Sequence, residues 1–208
     1  MFVNNRVALS GSHEETKTFL EQKNILVKDY DNYGLYLVKY DKPNCDMTDS
    51  DVQKCRGLII DKETNSVVCY PPPKSMIPEK FMKNVNNWDD VTCEKFIDGT
   101  MINIFYHNNE WKISTRSCIG ARNRWFSNKS FVDMFNECKN FDMEKLDKEC
   151  CYSFVLTHKD NRIVKEYNES GICLVYAMRK TETSEGRVFD NLDIKQVQSD
   201  LKKLNIVV

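Results

Sequence analysis

At 208 residues the chain can bury one substantial core, and its 41% apolar and 29% charged residues exclude a disordered or low-complexity protein. A formal net charge of -1 excludes nucleic-acid binding through a global field, so any such contact needs a local basic patch. No apolar run approaches the ~18 residues of a membrane helix, and the start "MFVNNRVALSGSHEE" lacks an apolar signal-peptide core. No membrane partner and a cytoplasmic location are therefore expected. The nine cysteines contain no Cys-x-x-Cys and only three histidines accompany them, so they read as reduced small hydrophobes and no metal site is expected.

In chain order, "HEETKTFLEQKN" (13–24) reads as a short helix with Ser12 as its cap. "YGLYLVKY" (33–40) alternates as a strand does. "CRGLIIDKETNSVVCYPPPK" (55–74) predicts a hairpin with "DKETNS" as its turn and three prolines stopping the second run. "TMINIFYHNNEWKISTR" repeats that design around "HNNE". "NKSFVDMFNECKNF" (128–141) sets Phe131, Met134, Phe135 and Cys138 on one face of a core-facing helix. "CCYSFVLTH" and "GICLVYAMRK" predict two further strands, "KTETSEGR" a polar turn, and "DNLDIKQVQSDLKKL" (190–204) a closing amphipathic helix. Hairpins with helices packed against them make an α+β fold rich in antiparallel sheet.

Two stretches carry candidate chemistry. "STRSCIGARNRWF" (114–126) gathers Arg116, Arg122, Arg124, Trp125 and Phe126. Arginine grips phosphate bidentately, and an exposed ring offers a base ~1–3 kcal/mol of stacking. Arg122, Arg124 and Trp125 are thus candidates for RNA contact; the structural alternative is a loop anchored in the core by Trp125 and Phe126. In "CEKFIDGT", Lys95 precedes Asp98 and Gly99.

Four blocks, "CRGLII", "PPPK", "KFIDGT…WKISTRS" and "YSFVLTHKDNRIV", follow in one order. That order resembles the nucleotidyltransferase domain of bacteriophage-type RNA ligases, and is especially similar to a ligase-like group found in large DNA viruses. The resemblance runs from about residue 30 to about residue 195. It implies residues 1–30 as an N-terminal helical extension and 31–208 as a ligase-like domain lacking the last motif strands. It also implies a lysine amine that attacks the α-phosphate of ATP with Mg²⁺ present, giving a lysyl-AMP that activates an RNA 5′ end.

Residue by residue, the resemblance assigns nucleotide contacts to Arg56, Lys74, Asp98, Gly99, Arg116, Tyr152, Phe154 and Arg162, matches Asn161 with Arg162 in "NRIV", and makes Lys95 the candidate nucleophile. Ordinary structural uses stay open beside these: ion pairs for Arg56 and Arg162, core packing for Tyr152 and Phe154, and a turn for Asp98-Gly99.

The departures weigh against catalysis. The family spacing is Lys-x-Asp-Gly, whereas here it is Lys-x-x-Asp-Gly. On a strand, Phe96 rather than Lys95 shares the face of Asp98 unless a bulge absorbs the extra residue. Ser153 stands where the ligase strand has a glutamate, and "EGRV" (185–188) falls in an expected turn. The expected function is a ligase-like pseudoenzyme of viral type, in host cytoplasm or virion, that binds nucleotide or RNA. The alternatives are an active ATP-dependent RNA ligase using Lys95, completed by a second polypeptide, and a structural module of a particle or complex.

Overall fold

The computed structural model describes residues 2–3, 6–7, 12–183 and 186–203. The strands are β1 (Phe2–Val3), β2 (Arg6–Val7), β3 (Ile25–Tyr30), β4 (Leu35–Tyr40), β5 (Arg56–Asp61), β6 (Val67–Cys69), β7 (Thr100–His107), β8 (Glu110–Thr115), β9 (Cys118–Ile119), β10 (Cys150–Thr157), β11 (Gly171–Thr183) and β12 (Gly186–Asn191). The helices are α1 (His13–Gln22), α2 (Ser50–Lys54), α3 (Pro78–Asn84), α4 (Phe131–Cys138) and α5 (Ile194–Lys203). Two antiparallel sheets result, an eight-stranded one ordered β1-β2-β12-β11-β10-β7-β8-β9 and a four-stranded one ordered β3-β4-β5-β6. This is the α+β, antiparallel-rich fold that the hairpins predicted.

Period-two alternation explains how the layers close. One face of the large sheet, with Phe105, Cys151, Met178 and Phe189, packs on Leu37, Ile59, Val67 and Cys69 of the small sheet. The opposite face, with Ile104, Tyr152, Phe154 and Ala177, receives Phe131, Met134 and Phe135 of α4 and Leu201 of α5. Strand β10 is covered on both sides, which is why "CCYSFVL" is apolar almost throughout.

Capping boxes start two helices: Ser12 with Glu15 at α1, and Ser130 with Asp133 at α4. A buried chain then fixes α1 on the small sheet, because Asn65 donates to Thr16 at 2.7 Å and accepts from the Tyr36 hydroxyl at 2.8 Å. Strand β3 pairs with β4 from Ile25↔Tyr40 to Tyr30↔Leu35, so the expected boundary after residue 30 falls between two paired strands.

Other differences have physical reasons. The "KTETSEGR" stretch is no turn up to Thr183: β11 runs through it and pairs Thr183 with Gly186 of β12. Its polarity reflects the exposed end of a hairpin, in which β11 and β12 run antiparallel. Leu204, the last apolar residue of the expected closing helix, and Glu185 of "EGRV" lie outside the described residues. Among the described residues, no helix is long and apolar enough to cross a membrane.

Candidate functional site

The "RG" of "CRGLII" sets the site. Gly57 has φ +89°, and a Cβ there would lie 2.8 Å from the Arg116 Cα, so only glycine lets β5 approach the end of β8 this closely. The β4–β5 register shifts at the same place, between Val38 and Lys39, leaving Lys39 opposite Arg56. Arg56 and Arg116 consequently enter one cleft of ≈ 760 Å³ between the sheets, joined by Lys39, Lys42 and Lys74. Arg56 Nη1 reaches the Met101 sulfur at 3.7 Å, and the Arg116 guanidinium lies 5.9 Å from the Tyr40 ring centre. Among the described residues none of these five cations sits in an ion pair, and Asp41 is the cleft's lone carboxylate. Unneutralised guanidinium and ammonium groups around a concavity suit a polyphosphate.

The apolar part of the lining is Leu26, Tyr40, Pro43, Pro72, Pro73, Met101 and Phe96. Phe96 is 89% exposed although it lines the cleft. Lys95 is not among the lining residues. It is near enough to the Cys173 thiol on β11 to lower its pKa, against the larger upward push of burial and of Glu94. The alternation argument for this segment meets a different backbone: residues 91–98 form no strand, and β7 begins only at Thr100.

The direction of these side chains is set instead by an anchor. Asp98 Oδ2 accepts the backbone N–H groups of Val164 and Lys165 at 2.8 and 2.7 Å. A Cβ on Gly99 would stand 2.4 Å from the Leu156 carbonyl oxygen, so Asp98-Gly99 is clamped to β10 and the loop after it. Arg162 belongs to that loop, donating to the Val164 carbonyl at 3.2 Å, and neither it nor Asp98 lines the cleft.

Some residues that the resemblance assigns to nucleotide contact stand away from this cleft. Tyr152 and Phe154 are 3% and 0% exposed and face the helices, not the cleft. Phe154 packs its ring against Phe135 and Phe141, and the Tyr152 hydroxyl accepts the Asp147 N–H at 3.1 Å. Burial, the dominant cause, pushes the Tyr152 phenol well above its ordinary pKa. The intervening Ser153 takes the cleft-side face, since it pairs with Asn103 as Val155 pairs with the cleft residue Met101. Its hydroxyl donates to Asn103 Oδ1 at 2.8 Å, and Asn103 reaches Ser114 at 3.5 Å, a buried polar row across three strands. Asn161, also 4% exposed, continues the His158 turn rather than lining the cleft. Lys39 and Lys42 were missed by sequence reasoning; the signal is "KYDK" (39–42), which runs over the end of a strand.

A second groove of ≈ 530 Å³ lies along β8, lined by Tyr33, Trp111, Lys112, Arg122 and Arg124 with Glu110 and Asp133. Hydrogen bonds from Ser130 hold the Asp133 carboxyl below its usual range, with Arg124 and Arg122 adding to that. Lys112 is buried, pairs with Glu110 and stands 5.0 Å from the centre of the Tyr33 ring. Trp125 and Phe126 are not anchored in the core: they are 54% and 81% exposed and meet edge to face at 5.3 Å.

No family model matches the chain. A protein of Autographa californica nuclear polyhedrosis virus, named "Putative bifunctional polynucleotide kinase/RNA ligase", is 28% identical over 196 residues. The match takes in 85% of this chain and 28% of that protein. Among solved structures, a "Putative ATP-dependent DNA ligase" from Aquifex aeolicus superposes with a TM-score of 0.54 at 16% identity, over 94% of this chain and 49% of that one. The chain thus spans under half the length of each relative. Both matched regions are parts of one longer chain, which lends no support to a second completing polypeptide.

Proposed function

The chain is an RNA-ligase-like nucleotidyltransferase-fold protein, and from that premise we propose that it binds a nucleotide between its two sheets without transferring it. The carrying observation is the cleft of five cations, none in an ion pair among the described residues, that Phe96, and not Lys95, lines. Arg56, Lys74 and Arg116 would grip the phosphates of ATP. Asp41 is the lining carboxylate that suits an accompanying Mg²⁺, a thin donor set for a metal-dependent step. Bound Mg²⁺ would neutralise phosphate charge. This chain's own residues orient the phosphates, and the cleft they line holds Phe96 and not the Lys95 amine. A phenyl group has no lone pair with which to attack phosphorus. The proposed role is a catalytically degenerate, viral-type nucleotide- or RNA-binding protein, with single-stranded RNA following Arg122 and Arg124 of the second groove and stacking on the exposed Trp125.

The test uses labelled ATP with Mg²⁺. The expected result is saturable ATP binding and no acid-stable covalent adenylate. Lys95→Ala should leave the ATP affinity within about twofold of wild type. A stoichiometric adenylate abolished by Lys95→Ala would replace this reading with that of an active ATP-dependent RNA ligase. One observation favours that second reading: residues 91–98 form no strand, so no ladder bond fixes the direction of Lys95.

A further inference from the structure

We propose that Phe96 is the stacking platform for the nucleobase of the cleft's nucleotide, an inference that rests on the nucleotide reading above. At 89% exposure Phe96 is among the most solvent-exposed large apolar side chains described, yet it belongs to neither core. Nothing in the packing of the fold requires a phenyl ring there. An exposed ring at the wall of a cleft lined by further apolar residues and cations is placed to contact a ligand.

Two features make the ring a platform. Its stem is held: two residues on, Asp98 accepts two backbone N–H groups of the 164–165 loop, and Gly99 is wedged against the Leu156 carbonyl. The cleft it lines also includes Pro72 and Pro73, which have few internal rotations to lose, and Met101, whose sulfur is engaged by Arg56. One lining therefore offers flat and apolar surface together with five cations. That combination matches a nucleoside polyphosphate, whose base is flat and apolar on its faces and whose tail is anionic. An inorganic polyphosphate would use only the cations. Because every base has a π-face, such a platform favours a base over none and ranks purines above pyrimidines only by stacking area.

The experiment measures equilibrium binding of ATP and of inorganic tripolyphosphate to the full chain by calorimetry. Wild type is compared with Phe96→Ala, Phe96→Leu, Phe96→Trp and Arg56→Ala. Phe96→Ala should weaken ATP by about 5- to 150-fold, the range that stacking of one base supplies, and leave tripolyphosphate unchanged. Phe96→Leu, apolar but not flat, should lose most of the same factor. Phe96→Trp should retain ATP affinity. Arg56→Ala should weaken both ligands. Equal ATP affinity for wild type and Phe96→Ala would overturn the stacking role while leaving the nucleotide site standing. Failure of wild type to bind either ligand would overturn both.

Discussion

Gly57 shows how one atom too many would close the site. A methyl there meets the Arg116 backbone at 2.8–3.2 Å and must also hold φ +89°. Gly57→Ala should destabilise the fold by about 1–3 kcal/mol, read as a lower denaturation midpoint. It should also weaken tripolyphosphate, because Arg116 moves away from Arg56. An unchanged midpoint would show that β5 and β8 are free to separate. Both arginines are legible as basic residues in the sequence. Their meeting is not, since residues 56 and 116 are brought together by a backbone contact that leaves no periodic trace.

Helices and strands follow their local signals closely. Ser12 caps α1 as the sequence indicated, and a Ser130–Asp133 box that was not read starts α4. β3, α2 and α3 were not read. β3 reads "ILVKDY", three apolar residues followed by two adjacent charges, and α3 is exposed along its whole length, so neither shows a clean apolar stripe. The loop after β9 is the element with most to test. Arg122→Ala with Arg124→Ala should lower the slope of log affinity for single-stranded RNA against log salt by about one to two units. Trp125→Ala should weaken binding at an unchanged slope, because stacking releases no counterions. Equal slopes for wild type and the double variant would move the RNA path to the Arg56–Arg116 cleft.

At the scale of the whole molecule, ion pairs tie α1 to the small sheet. Asp29 on β3 lies 2.6 Å from Lys62 and 3.1 Å from Lys17 of α1. The Lys62 ammonium, against an opposing effect of burial and with help from Lys17, holds the Asp29 carboxyl below its usual range. A depressed folded pKa gives stability that is complete above the unfolded value of ~3.9 and lost as pH falls through the folded value. Asp29→Asn should therefore cost about 0.2–1 kcal/mol at pH 7, the scale of a partly exposed pair, and less at pH 2. Urea titrations at the two pH values check this; an equal loss at both would assign the effect to packing.

By itself the sequence determined the α+β class, most strands, the Ser12 helix cap and the set of basic residues, because these follow from periodicity, capping chemistry and composition acting over a few neighbours. It also carried the motif order that the likeness to ligases reflects. Tertiary structure decided which face each residue serves. Tyr152 and Phe154 went to the helices because β10 is covered on both sides, so an apolar strand pattern is silent about which layer a residue meets. Lys95 and Phe96 took their positions from the Asp98-Gly99 anchor, a contact between segments some sixty residues apart. Alternation along the chain does not encode a constraint made across it.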